Sequence, residues 1–492
     1  MGSFFKCLKG YWCLCVTVAL TVASALCILT VQAQAQDESV TMPLPEESAP
    51  HSSADNYLSL DLQQYDYNPE GAQTSDQFSQ YTQATTAFGY FHKHIGDDGT
   101  ESSFESDGLV VLPMSAGTYF EVGVPNAYWS LLSPSKHFQI SVGRELQNWS
   151  ELDDYWHLGI WQPLARWDAA DPISQGLTGV FARINEDNYR ITLFASDLFL
   201  PDQEPNYQTG NGQIYSYNRW FRAPETQILI GNGESQFNYA IAPVNVNKII
   251  FQKSFAGMME FGHEKEGPYF KTSYAEKPMN QFHIADQPNV DIGANTVNVT
   301  VIPMIVQEHV LTAETGVRFG NDSEFVLSDT WERFDNPDLP NNYYQSQLID
   351  SQYLGMIYRQ DLEGIGFYHS NIEFSYVDRL EMTNPQTDTI IAGQVESSAD
   401  RLAFARLAGV QFTHQLWQKA KSGIDGELAF NYSIDDQGVW LHSMLGYKYD
   451  PHWTWSLAGD LFGLPSSEFN STSFVSIYRG NSRLIGGLTY VY

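Results

Sequence analysis

Paired acidic residues are the groups in this sequence whose types and spacing could support catalysis. Asp153 adjoins Asp154, and Glu145 lies close before Glu151. Two carboxylates hydrolyse a glycoside, one as acid and the other as base or nucleophile. However, adjacent strand residues point in opposite directions, and a chain with 58 acidic residues contains many such pairs by chance. We therefore predict no enzyme, and a carboxylate hydrolase stays an alternative.

Metal and cofactor chemistry have weaker signals. His92 and His94 share one face of a predicted strand, but no third ligand is evident near them. The sequence contains no H-E-x-x-H zinc helix, G-x-S-x-G nucleophile elbow or phosphate-binding loop. We predict neither a metal site nor a cofactor.

The segment from Arg144 to Gly179 is rich in tryptophan and in charged residues. It is too long for a tight turn and too aromatic for a disordered loop. Inside a barrel it could fold into the lumen, with opposed charges creating a transverse field and tryptophans contacting amphipathic solutes. A loop that caps the barrel mouth is the alternative. The candidate charges are Arg144, Asp153, Asp154, Arg166 and Asp168.

The N-terminal residues indicate export. Lys6 and Lys9 precede an apolar run from Cys13 to Val31, and Ala33-Gln34-Ala35 places small residues where a signal peptidase cuts. We predict a signal peptide over residues 1–35, with a membrane anchor as the alternative. All four cysteines lie within it, so the mature chain is expected to form no disulfide.

Charge and composition exclude further classes of protein. The formal net charge of −32 repels nucleic acid and favours cations or cationic partners. Aromatic residues make up 14% of the chain, which is more than a disordered composition carries. Residues 36–83 are polar and contain several prolines, which predicts an N-terminal leader, with one short strand at Tyr57–Leu62.

From residue 84 onward the chain reads as short alternating segments separated by turns. The alternation is clearest in Glu427–Ser433, Val439–Tyr449 and Trp453–Leu461, where apolar residues occupy every second position. A period of two predicts strands with one apolar and one polar face. Aromatic residues flank the turn at Asp450-Pro451, as expected where strands meet lipid headgroups.

The last predicted strand alternates over its full length and carries an aromatic residue at position 492. This pattern resembles the C-terminal signal that the outer-membrane assembly machinery recognises in barrel proteins. The residues that carry the resemblance are Leu484, Gly486, Leu488, Tyr490 and Tyr492. In lipid a sheet must close, so this strand is expected to pair with the first one.

The chain from residue 84 to 492 thus resembles bacterial outer-membrane β-barrels of the porin-like kind. The resemblance implies an all-β fold, a closed antiparallel transmembrane barrel of about 14–18 strands with 16 as the best estimate. It also implies residence in the cell outer membrane, with membrane lipid, lipopolysaccharide, the assembly machinery and small solutes as partners. No sequence feature indicates an oligomeric state.

The polar strand faces indicate which residues would line a pore, because a water-filled lumen tolerates charges that lipid does not. The candidates on strands are Arg190, Glu314, Arg318, Glu373, Glu427, His442, Lys448 and Asp460. A porin-like channel or exporter, for small solutes or an exported polymer, is the predicted function. A secreted or periplasmic β-rich carbohydrate-active protein and a barrel serving as a surface enzyme or adhesin are the alternatives.

Overall fold

A computed structural model describes most of the chain beyond residue 55. The described residues are 56–65, 82–114, 120–230, 233–262, 267–319, 323–335, 347–363, 369–381, 395–396, 406–419, 421–434, 437–463 and 474–492. The predicted signal peptide lies outside them. None of the helices within these ranges has the length and apolar character needed to cross a membrane.

Eighteen strands of the described chain form one antiparallel sheet. In chain order they are β1 Tyr57–Tyr65, β2 Thr82–Ile95, β3 Glu101–Pro113, β4 Glu121–Leu132, β5 Phe138–Glu145, β6 Leu177–Glu186, β7 Tyr189–Ser196, β8 Ser254–Phe261, β9 Gly267–Pro278, β10 Gln307–Phe319, β11 Ser323–Asp335, β12 Ser351–Asp361, β13 Ser370–Glu381, β14 Arg406–Lys419, β15 Ser422–Ser433, β16 Val439–Lys448, β17 Trp453–Gly463 and β18 Arg483–Val491. Each strand pairs with its neighbours in sequence.

The sheet closes on itself. Strand β18 pairs with β1 along its whole length, with Tyr57 opposite Val491 and Tyr65 opposite Arg483. Closure leaves the wall without an open edge, so its backbone groups need no partner from outside. The predicted pairing of the last strand with the first is confirmed, and the closed antiparallel barrel is confirmed with it.

The two ends of the barrel differ in the length of the connections between strands. One end carries brief turns, such as 187–188 between β6 and β7 and 449–452 between β16 and β17. The other end carries the long connections, including 146–176, 197–253 and 279–306. Outer-membrane barrels have short turns on the periplasmic side and long loops outside. We refer to the two ends as the short-turn end and the long-loop end.

Side chains alternate between an apolar outer face and a polar inner face. On β17, Trp455, Leu457 and Leu461 are about half exposed, whereas Asp460 between them is fully buried. On β18, Leu484 points outward while Arg483 is buried inside. Large exposed apolar residues follow the same alternation around the rest of the wall. An apolar exterior around a polar interior is the arrangement required in lipid, and the reverse of a soluble sandwich.

Smaller elements lie in the long connections. Residues 197–253 and 279–306 jointly form a four-stranded sheet, here called the loop sheet, from Gln227–Ile230, Gly233–Ile241, Thr296–Met304 and His283–Asp291. Short strand pairs join Leu164–Ala165 to Ile173–Ser174, Gln208–Gly210 to Gln213–Tyr215, and Gln347–Leu348 to Val395–Glu396. The described helices are α1 Glu151–Trp156, α2 Val246–Ile250 and α3 Phe474–Tyr478.

The wall begins earlier and has more strands than the best estimate from sequence. Tyr57–Tyr65, placed in the leader by its polar surroundings, is β1, so the barrel starts well before residue 84. Glu101–Pro113 was not predicted as a strand, yet it pairs fully between β2 and β4. The alternation in Val297–Ile305 also predicts a wall strand, but in the structure this stretch corresponds to a strand of the loop sheet. The count of 18 is the upper limit of the predicted range.

Candidate pore and its inserted segment

Residues 146–176, here called the inserted segment, connect β5 to β6 and fold into the barrel. Helix α1 begins after Ser150, whose side-chain oxygen accepts the Asp153 N–H at 3.3 Å and caps the first turn. After the helix, the Asp153 carboxylate accepts the backbone N–H groups of Ile160 and Trp161 at 3.0 and 2.9 Å. Asp153 thus takes part in the cap of the first turn through its N–H and holds the turn after the helix through its carboxylate.

Apolar side chains pack the inserted segment against one side of the wall. Trp149 and Trp161 are fully buried and stack with ring centroids 5.4 Å apart. The Trp161 indole N–H donates to Thr312 Oγ1 on β10 at 2.8 Å. The side chain of Leu152 lies directly over Gly355 on β12, where a Cβ atom would collide with it. Glycine at position 355 allows the helix to reach the wall.

Ion pairs and hydrogen bonds attach the same side of the segment to the wall. Ser150 Oγ donates to Glu314 on β10 at 2.9 Å. Lys271 on β9 lies 2.8 Å from Glu314 and 4.0 Å from Glu151 of helix α1. Arg359 on β12 approaches Glu151 from the other side at 3.6 Å. The helix thus contributes one carboxylate to a network in which wall cations lie between acids.

The far part of the segment reaches the opposite side of the barrel. Asp168 pairs with Arg483 on β18, and Arg483 also pairs with Asp460 on β17 at 2.5 Å. His442 on β16 lies 2.8 Å from the same Asp460 carboxylate. Arg166 pairs instead with Asp202 of the next long connection, at 2.8 Å. The segment is therefore anchored on both sides and crosses the lumen.

The sequence left two arrangements open for this segment, a fold into the lumen and a cap at the barrel mouth, and the structure has the first. Three of its candidate charges do not form the proposed transverse field. Arg144 is buried and donates to the Gly176 carbonyl at 3.0 Å, so it holds the base of the segment. Burial raises the pKa of the Asp153 carboxyl to about 6, while its backbone N–H bonds lower it. Asp154 lies within reach of Gln162 at 3.4 Å. These groups serve local structure, because each finds its partner within or beside the segment.

The strand residues predicted to line a pore all occupy the inner face. Most of them are paired: Arg190 with Glu260, Arg318 with Glu324, Glu373 with Arg359, and Lys448 with Asp425. Glu427 makes no hydrogen bond or ion pair within the described residues, but it interacts electrostatically with His442 and Glu373. Its carboxylate is only partly buried, on the inner face of β15.

Sequence reasoning missed three cations that organise the interior. Lys271, Arg359 and Arg483 alternate with outward apolar residues, as Lys271 does with Phe270 on β9. The period-two pattern that identified the other inward charges could have found them. No local sequence pattern could have predicted their partners, because Arg483 and Asp168, for example, are 315 residues apart in the chain.

One side of the interior stays open. On β15–β17 the inward residues Glu427, His442, Met444 and Ser456 keep partial exposure. A Cβ atom added at inward Gly446 on β16 would meet nothing within 4 Å. The apolar contacts of helix α1 and its flanking tryptophans lie instead on β10, β12 and β14. Partly exposed inward side chains therefore remain on β15–β17.

No catalytic or metal arrangement emerges among the described residues. The acid pairs suggested by the sequence are occupied, because Glu145 pairs with Arg183 at 2.5 Å and Glu151 lies between Lys271 and Arg359. Within the described ranges, no three His, Cys, Asp or Glu side chains converge on a position that could hold a metal ion.

We expect Gly355→Leu to push helix α1 off the wall, because the added side chain needs the space that Leu152 fills. Overpacking of this kind costs about 1–3 kcal/mol of unfolding free energy. Urea unfolding in detergent, followed by tryptophan fluorescence, measures the loss. Gly446→Leu is the matched control, since the same residue there enters open space. Equal unfolding midpoints for both variants would contradict the packing described.

The closed wall, the apolar exterior and the inward polar residues define a membrane-spanning β-barrel. Neither a protein-family model nor a curated protein sequence matches this chain. Among solved structures, it is similar to OccAB4 of Acinetobacter baumannii, with 9% identity, a TM-score of 0.41, and 90% of this chain and 100% of that chain covered. OccD3 (OpdP) of Pseudomonas aeruginosa gives 10% identity, a TM-score of 0.42, and 93% and 96% coverage. A mutant Rh. blastica porin gives 9% identity, a TM-score of 0.37, and 89% and 99% coverage.

Proposed function

We propose that this protein is a porin-like channel of the outer membrane that passes small solutes, narrowed by its inserted segment. The open side of the interior along β15–β17 carries the proposal, because polar inward residues there stay exposed while the exterior is apolar. Water can fill such a space, and small polar solutes can cross it. The long-loop end faces the outside in this arrangement, and the short turns face the periplasm.

The charges of the passage favour cations. Asp425 is balanced by Lys448, and Asp460 by Arg483 and His442. Glu427 has no ion-pair partner within contact distance among the described residues, although His442 is close enough to interact with it. Its negative charge is therefore only partly offset and acts on a permeating ion. A fixed charge in a narrow, low-dielectric pore concentrates ions of opposite sign.

Planar-bilayer recording tests both parts of the proposal. The purified protein should give stepwise conductance and a reversal potential that shows cation preference in a salt gradient. We expect Glu427→Gln to lower the cation-to-anion permeability ratio by about twofold, because one unpaired charge is removed. Glu186→Gln, at an exposed site next to the β6–β7 turn, is the control and should leave the ratio unchanged. A properly folded barrel that conducts no current would overturn the channel proposal.

A further inference from the structure

Asp329 is an acidic residue on the outward, apolar face of the wall. It lies at the centre of β11, and along the same face it is flanked by Leu327, which is 45% exposed, and by Trp331. Its neighbours opposite in register are Ala313 on β10 and Leu354 on β12. Asp329 therefore lies within the apolar band that faces lipid.

Small and polar side chains lie next to this carboxylate on β9, β10 and β12, between the larger apolar ones. One amide N–H of Gln352 on β12 is shared between the two Asp329 oxygens, which lie 3.0 and 3.1 Å from Nε2. Thr272 and Thr315 also point outward, and the register places them beside Ala313 and Leu327. We call Thr272, Ala313, Thr315, Asp329 and Gln352 the Asp329 patch. Nine strands away, the outward positions of β1 and β2 carry Leu58, Leu60, Leu62 and Phe88.

A carboxylate that faces hydrocarbon is costly, so a second polar surface that excludes lipid from it is favourable. Copies of one chain in one membrane share their orientation, so any symmetry axis that relates them is normal to the bilayer. Asp329 can then meet only residues at its own height. The patch holds an acceptor in Asp329 and a donor in Gln352, and it is therefore complementary to itself, as a two-fold contact requires.

We propose that two copies of this protein associate through their Asp329 patches about a two-fold axis normal to the membrane. The small residues Thr272, Ala313 and Thr315 let the two walls approach closely, as small residues do between membrane helices. Gln352 of each copy lies where it can donate across the contact as well as to its own Asp329. This dimer depends on the barrel being in lipid and does not depend on whether the barrel conducts.

Thiol crosslinking in outer-membrane vesicles tests the contact. The expected mature chain has no cysteine, so single cysteines report position without background. We expect Thr315→Cys and Thr272→Cys to yield crosslinked dimers with a short bismaleimide. The matched control is Thr86→Cys, at an outward threonine on the opposite side of the barrel, which should yield none.

Native mass measurement in a mild detergent gives the second observation. The unmodified protein should have the mass of a dimer, whereas Asp329→Leu and Gln352→Leu should be mostly monomeric. Each variant should still run as a folded, heat-modifiable barrel, which separates lost association from misfolding. A monomeric unmodified protein, crosslinks as frequent at position 86 as at 315, or an assembly larger than two would each overturn the proposal.

Discussion

Replacement of residues 147–175 by a Gly-Ser turn is expected to raise single-channel conductance by about threefold or more, because an 18-stranded barrel without its insertion has a wide lumen. Glu145 and Leu177 lie opposite each other in register at the ends of β5 and β6, so a few residues can rejoin them. The wall itself need not change.

The deletion has a matched control in the other long connections. Replacement of the loop-sheet hairpin 284–303, which lies between the ends of β9 and β10, removes a shorter stretch of another long connection. Its conductance should stay near that of the unmodified protein. Current through single channels, with ion selectivity recorded in the same membranes, measures both variants. A shortened barrel that conducts no better than the original would show that the inserted segment does not limit the passage.

Lys271→Met is expected to be the most destabilising single substitution in the interior. The Lys271 ammonium is buried beside Glu314, with Glu151 and the Asn148 carbonyl and side chain close by. Its removal leaves buried carboxylates facing one another, and breaking a buried pair costs about 3–5 kcal/mol. The inserted segment also loses one of its attachments to β9.

Denaturant unfolding of the folded barrel measures this loss, with heat-modified gel mobility as a check on assembly. The double variant Lys271→Met/Glu314→Gln is the informative control, because it removes the unpaired charge along with its partner. We expect it to recover part of the stability lost in the single variant. If both variants unfolded at the same denaturant concentration as the original protein, the network around Glu151 would not hold the segment.

Local alternation was enough to predict much of the wall. Strands β15–β18 are apolar on one face and polar on the other, and Leu428, Phe430 and Leu457 point outward as expected. The inward positions of Glu314, Glu427 and Asp460 followed from the same period. A period of two is imposed by strand geometry itself, so it can be read without knowledge of the partner strand.

The same period could not separate wall strands from others. The strand Thr296–Met304 alternates as well as any in the barrel, because a sheet with one buried face outside the membrane has the same requirement. Strand β3, by contrast, belongs to the wall but was not predicted, because its alternation is weak. Its inward face carries Glu105 and Asp107, and a register shift between Asp107 and Leu109 interrupts its pattern.

The partners of the inserted segment depend on the closed barrel. Asp168 meets Arg483 only because closure brings β18 beside β1, and Glu151 meets Lys271 and Arg359 only because the segment enters the lumen. The chemistry of Arg144 and Arg166 indicated opposed charges, but not which ones would face each other. The sequence therefore identified the charged groups, whereas their pairing depends on the topology of the closed barrel.

In the proposed orientation, with the long-loop end facing outward, the loop sheet determines what an antibody can recognise on the cell. Its central contact is a parallel pairing of Gly233–Ile241 with Thr296–Met304, which come from two separate connections. Neither stretch can present that surface when taken from the chain as a peptide. Antibodies or phage that bind this surface on intact cells should therefore not bind the denatured protein on a blot. Sera raised against linear fragments should likewise not bind intact cells.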